Sequence, residues 1–387
     1  SLCPRMSLST ITTSGSENTL PVQDEASKSA ETHAKTFKSA NFPLGPNGET
    51  YHVGTIKGQV ANRIITVGDR HRAKLLSSFL DVTCFEFTSG RGFSTFTGLK
   101  NGVPITIMGT GMGIPMMDFM VRETRAVTEG DMIYCRFGTC GTPKKESPVG
   151  TVAVSDGAYM IRRNIDAFHE DRVEGQSYYD YSKVIDFDKE ISAKLTEKLS
   201  ETFKDDETEV HTGTNATAES FYSSQGRIDP RFDDRNETLF DDIAVKYPDT
   251  LLLEMEGFML AHLAQASRGT IRAGCCALIL ANRHSHDFLE ASRIKTLERA
   301  VGQAMVEFMA ALPIKNDDPG RHGTVWHHAW KKYQQDSTSA THHHHHHHHH
   351  HHEHSTNGSA LSAVSASAGS EKSQSPRRAS KRKAPAE

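Results

Sequence analysis

The chain has 387 residues, 36% of them hydrophobic, with 44 Lys and Arg against 48 Asp and Glu; this suits one large buried core and is too mild a charge for a nucleic-acid binder. No apolar run reaches the ~20 residues that span a bilayer, and the N-terminal stretch has neither the apolar core of a signal peptide nor the acid-poor composition of a transit peptide, so the expectation is a cytoplasmic protein with no membrane partner. Cys84, Cys135, Cys140, Cys275 and Cys276 sit in apolar runs without zinc-ligand or disulfide-framework spacing and read as reduced thiols.

Residues 1–45 are rich in Ser, Thr and Glu without apolar periodicity and read as a disordered tail; 46–315 read as one domain, and 316–387 as an extension. The domain opens at Tyr51-His52-Val53-Gly54. Then come a strand at 63–67, a helix at 70–79, strands at 84–88 and 93–99, an Asn101-Gly102 hairpin turn and a strand at 103–108. After the turn at 109–113 a helix covers about 115–128, followed by the apolar strand that carries Arg136 into the glycine-rich stretch Gly138-Thr139-Cys140-Gly141-Thr142, read as a turn. A strand at 152–155, a helix at 189–203 with Ile191, Leu195 and Leu199 on one stripe, and a strand at 210–212 precede a polar loop. The chain continues with a helix at 239–246, a strand at 250–253, a helix at 258–266 and a strand at 270–280. A last helix has Ile294, Leu297, Val301, Met305 and Phe308 on one face. This alternation predicts an α/β fold with a central twisted sheet covered by helices, largely parallel and made mixed by the hairpin. Cys275 and Cys276 should point to opposite faces of their strand.

In such sheets ligands collect at the carboxyl ends of strands. The strand at 63–67 delivers Gly68-Asp69-Arg70-His71-Arg72, with Arg72 in the first turn of a helix whose N-terminus favours anions. The apolar strand that leads into Arg136 delivers Arg136 and Thr139, a guanidinium fork and a hydroxyl suited to a tetrahedral oxyanion; the alternative is a strand end whose arginine meets a carboxylate. The strand at 250–253 delivers Glu254-Met255-Glu256-Gly257, two acids able to hold sugar hydroxyls, although Glu254 could instead cap the following helix. Phosphate and sugar form a coherent pair.

Taken together, Gly68-Asp69 with Arg72, Arg136-Phe137-Gly138-Thr139-Cys140-Gly141, Glu254-Met255-Glu256, the start Tyr51-His52-Val53-Gly54 and the block Phe221-Tyr222-Ser223-Ser224-Gln225-Gly226-Arg227 resemble the nucleoside phosphorylase family, nearest its uridine phosphorylases, over residues 50–312. The resemblance implies the phosphorylase/hydrolase-like α/β fold and phosphate-dependent, reversible cleavage of uridine to uracil and ribose 1-phosphate. It implies phosphate binding by Gly68, Arg72, Arg136 and Thr139, joined by Arg91 from a partner subunit. Met255 and Glu256 would hold the ribose, with His52 from the partner, and Phe221, Gln225 and Arg227 the uracil; Arg136, Gln225 and Arg227 would act in catalysis, with Arg283 supporting the loop. The match between residues and base is chemical. Gln225 offers an acceptor and donors to one carbonyl and the N–H of uracil, which leaves Arg227 for the other carbonyl.

No metal or cofactor is implied for the reaction. A structural cation at the subunit interface stays open, because Gly92 and Met116 stand where bacterial relatives of this kind carry a glutamate and a serine. The implied assembly is a homo-oligomer, a dimer at least. Other readings are a surface position for Arg91, a strand-edge histidine for His52, a turn-fixing role for Asp69 and a packing role for Cys140. At the level of activity the alternatives are a purine nucleoside phosphorylase, a nucleoside hydrolase and a non-catalytic nucleoside-binding protein. The histidine tract at 342–352 reads as a natural low-complexity insertion or a tag, and Pro376-Arg377-Arg378 with Lys381-Arg382-Lys383 as a weak nuclear-import signal.

Overall fold

The computed structural model describes residues 36–315. In chain order these form β1 (Arg63–Val67), α1 (Arg70–Ser77), β2 (Val82–Thr88), β3 (Ser94–Lys100), β4 (Val103–Gly109), α2 (Ile114–Ala126), β5 (Met132–Thr142), β6 (Val152–Arg163), β7 (Tyr179–Tyr181), β8 (Ile185–Asp186) and α3 (Lys189–Thr202). They continue with β9 (Val210–Ala218), α4 (Leu239–Lys246), β10 (Thr250–Glu254), α5 (Gly257–Ala266), β11 (Ile271–Asn282) and α6 (Ala291–Ala311). The expectations for the histidine tract, the basic segments and residues 1–35 lie outside the described residues.

The strands lie in one mixed sheet in the order β10-β9-β6-β11-β5-β1-β4-β3-β2, with β7 and β8 added beside β6. β4, β1, β5 and β11 run parallel, and the hairpin β3–β4 is antiparallel, as the alternation and the Asn101-Gly102 turn predict. Both turn residues take positive φ, 51° and 74°, the left-handed pair that a two-residue hairpin needs. A further contact changes the shape: Leu253 of β10 pairs antiparallel with Gly141 of β5. The end of the sheet path thus returns to its middle strand and closes five strands on themselves.

Strand periodicity divides the core. Ile133, Cys135 and Phe137 of β5 face a cluster built with Leu76 of α1, Ile191, Leu195 and Leu199 of α3, and Leu297, Val301 and Met305 of α6. Met132 and Tyr134 face the other side, against Met117 and Met120 of α2 and Leu260 of α5. Cys276 belongs to the first cluster and Cys275 to the second, on opposite faces as expected. The helices start where the sequence offers caps: the Asp69 carboxylate accepts from the Arg72 amide at 2.8 Å and that of Asp188 from the Ile191 amide at 2.9 Å.

Three strands are longer than the sequence suggests. The stretch Gly138–Thr142 is not a turn but the end of β5, paired along its length with Ala277–Asn282 of β11. Pairing with β11 along one edge, and with Leu253 at Gly141 on the other, keeps the backbone extended there. β6 runs on past Ser155 through a bulge before Gly157, and β9 runs on through the buried Gly213, Asn215 and Thr217, which read as loop residues because they are polar or small. The second half of each strand completes the closed region, where polar side chains bond to one another: the Thr217 hydroxyl donates to the Glu254 carboxylate at 2.8 Å.

Close packing makes one glycine a test of the β2–β3 edge. A Cβ on Gly98 would lie 2.0 Å from the Val82 carbonyl oxygen, beside the bulge between Thr83 and Phe85. Gly98→Ala is expected to lower stability by ~1–3 kcal/mol, seen as a lower denaturant midpoint at an unchanged slope.

Candidate active site

β5 and β10 close against each other, and that closure assembles a buried ion cluster. Arg136 continues the Tyr134 face of β5 and lies 3% exposed, beside Glu254 at 4% and Glu256 at 4%. Its Nε donates to Glu254 Oε2 at 3.1 Å and its Nη2 to Glu256 Oε2. Gly138, two residues on, has no side chain because the guanidinium needs the space: a Cβ there would lie 2.8 Å from Nη2. The glycine thus makes room for the arginine.

Arg136 therefore meets carboxylates, the alternative raised from the sequence, yet it is not used up by them. Its Nη1 is buried and has no hydrogen-bond partner among the described residues. A buried guanidinium N–H without an acceptor is unfavourable, and this one lies in a lining residue of a cavity of about 370 Å³. Burial opposes the charged guanidinium, but Glu256 and Glu254 outweigh it and hold the group above its usual range. Burial also pushes the Glu256 carboxyl up, against the pull of Arg136.

The two acids have different duties. Glu254 accepts from the amides of Glu256 at 3.1 Å and Gly257 at 2.8 Å and so caps α5. Glu256 accepts from the Gly113 amide at 2.6 Å, which ties it to the start of α2 and leaves it lining the cavity with Met255.

The cavity gathers most of the expected residues from four separate chain regions. Gly68, Arg72, Arg136, Thr139, Phe221, Gln225, Arg227, Met255 and Glu256 all line it. Gln225 is 3% exposed. Arg227 Nη1 donates at 2.6 Å to Gln225 Oε1, fixing the amide so that its NH₂ faces away from the arginine. The Arg227 guanidinium lies 3.7 Å from the centre of the Phe221 ring, so a base can stack only on the other face of that ring. Burial and the nearby Arg283 bring Arg227 down to about 10, still charged at neutral pH. Arg283 supports the loop as the sequence suggested: its Nη1 donates at 2.8 Å to the carbonyl of Gln225 and its Nη2 at 3.3 Å to that of Gly226.

His52 and Arg91 do not join the cavity of their own chain. His52 stacks on Phe119 at 3.9 Å and bonds through Nδ1 to Glu123 at 3.1 Å, while Arg91 lies over the Tyr51 ring at 5.8 Å. The two sit together on one aromatic patch. Asp69 lines the cavity and also caps α1, its expected turn-fixing role. Cys140 lines the cavity as well, but burial and then Glu254 push its thiol up, so it is no thiolate.

Several lining residues carried no mark in the sequence. Met112 stands 77% exposed between Gly111 and Gly113, both at positive φ, and Phe288, also in the lining, stands 70% exposed. The glycine spacing around Met112 was a usable signal; Phe288 offered none. Leu280 and Ala281 complete the wall at the end of β11.

The Phosphorylase superfamily profile matches residues 62–312, which covers the sheet and its helices. A solved uridine phosphorylase of the oomycete Phytophthora capsici is 41% identical, with a TM-score of 0.70 over 72% of this chain and all of that one. The uridine phosphorylase of Thermococcus kodakarensis is 28% identical over 293 residues, 75% of this chain and 97% of its own length. A DeoD-type purine nucleoside phosphorylase of Bacillus subtilis is 30% identical over 180 residues, 46% of this chain and 70% of its own length. With the strand-end arginine, the paired acids and the Gln225–Arg227 loop in one cavity, the chain belongs to the phosphorylase superfamily, among its nucleoside phosphorylases.

Proposed function

We propose that the protein cleaves uridine with phosphate, giving uracil and ribose 1-phosphate, and that the cavity around Arg136 is where it does so. The observation that carries this reading is the free, buried Nη1 of Arg136 in a cavity whose other wall is Gln225 and Arg227. One end suits an oxyanion and the other a pyrimidine edge.

Phosphate sits between the Gly68 turn, Arg72, Arg136 and Thr139. Glu256 and Met255 hold the ribose, Glu256 accepting from sugar hydroxyls while Arg136 and the Gly113 amide keep its carboxylate in place. A phosphate oxygen bonds to C1′ as the bond from C1′ to uracil N1 breaks, and the electron pair leaves with the base. Donors from Gln225 and Arg227 stabilise that charge where it develops, which speeds the chemical step more than it tightens binding. Uracil then takes a proton from water.

One protomer is short of positive charge for this task. Arg72 and Arg136 face Glu254, Glu256 and Glu298 at close range. A phosphate dianion there calls for a further cation, and Arg91 from a second copy supplies it, with the partner's His52 reaching the sugar. The aromatic patch of Tyr51, His52 and Phe119 is the surface on which the copies meet.

Absorbance measurements of base release from uridine and from inosine, each with and without phosphate, test the reading. Uracil release only with phosphate, and no release from inosine, is the expected result. Inosine cleavage would favour the purine reading, and cleavage without phosphate a hydrolase.

A further inference from the structure

We infer that Glu298 of α6, which no sequence motif marks, is a positioning residue that aims Arg72 at the phosphate and so sets phosphate affinity; this rests on the reading of Arg72 as a phosphate ligand. Arg72 is a long side chain with many rotamers, yet here it is buried and held along one edge. Glu298 Oε1 accepts from its Nε at 3.1 Å and its Nη2 at 2.9 Å, and the Glu298 side chain is itself only 16% exposed. Asp69 Oδ2 lies 3.8 Å from the same Nη2. The Phe137 ring, 5.6 Å from the guanidinium carbon, walls one side.

What remains is Nη1. It has no hydrogen-bond partner among the described residues and lies 3.8 Å from the position a Cβ on Gly68 would take, at the turn that lines the cavity. The carboxylate on the far edge thus fixes the plane of the fork and directs its unused N–H groups to the anion end. Glu298 touches neither substrate, so its removal should act on phosphate alone.

Glu298→Ala is expected to raise KM for phosphate by ~10-fold, with KM for uridine and kcat within about two-fold, because a misaimed ligand weakens one substrate's binding. Glu298→Gln keeps an oxygen that accepts the same hydrogen bonds and should restore KM for phosphate to within about two-fold of the parent. An unchanged phosphate KM in the alanine variant overturns the inference, as does a glutamine variant no better than alanine. So do parallel losses in kcat and in uridine affinity, which would mark a structural role. Arg72→Ala measured beside them separates the two levels. If its phosphate KM stays at the parent value, the reading of Arg72 has failed; if it rises while the alanine variant at 298 does not follow, only the role of Glu298 has failed.

Discussion

Arg136→Met is expected to abolish phosphorolysis, lowering kcat/KM by ~10³-fold or more, and to destabilise the fold by ~3–5 kcal/mol. Both effects have one source. The substitution removes the unpartnered Nη1 of a cavity-lining residue, and it strands Glu254 and Glu256, each 4% exposed, without their cation. Breaking one partner of a buried ion cluster is costlier than losing the pair, because the remaining charges stay out of water. Adding Glu256→Gln to the variant removes one stranded charge and should recover part of the thermal stability with no recovery of activity. Circular dichroism melts beside the phosphate-dependent assay distinguish the two effects. A variant that still releases uracil at near-parent rates would place phosphate binding elsewhere.

Gln225→Leu is the second large effect, a loss of ~10²–10³-fold in kcat/KM for uridine with little change in melting temperature. The amide is buried and makes its short contact to Arg227, so a slightly smaller apolar side chain fits the space and deletes the donor proposed to meet the departing uracil. Arg227 keeps its bond to the Phe221 carbonyl at 2.6 Å and its place over the ring. Gln225→Glu sharpens the test through its sign. A carboxylate beside Arg227 and Arg283 should be as stable as the parent or more so, yet repel the base anion and stay inactive. An active glutamate variant would show that charge on the leaving base is not what this wall stabilises.

The ion cluster also shows how one strand serves two purposes. β5 alternates strictly through Tyr134, and the next residue on that face is Arg136 in place of another apolar side chain. The break in pattern is where chemistry enters. In the sequence it stands out because the flanking residues of the strand are apolar, and a lone arginine in such a run needs a counter-charge. The partner acids were equally visible at the end of β10, but nothing in the spacing joined the two segments.

Much of the fold was legible for reasons that are local. Strand and helix periods depend on neighbours within a few residues, so α3 and α6 lie where the apolar stripes put them, and the Asn101-Gly102 turn forms the hairpin that its backbone preference favours. The long second halves of β6 and β9 were hidden because Thr, Asn and Gly say little about strand when they pack inside a closed sheet. Gly138 misled for the same reason. Its meaning depends on the guanidinium lying across it, and no local signal carries that.

The sequence by itself determined the α/β alternation, which follows from periodicity, and the family resemblance that underlies the proposed phosphate, ribose and pyrimidine contacts, which follows from motifs. Tertiary structure alone decided that β10 returns to β5, that Arg136 is shared by Glu254 and Glu256 with its Nη1 left over, that Glu298 holds Arg72, and that His52 and Arg91 stay outside their own cavity. The reason is separation along the chain. Groups far apart in sequence acquire their charge balance, burial and aim only when the sheet closes and brings them within hydrogen-bond distance.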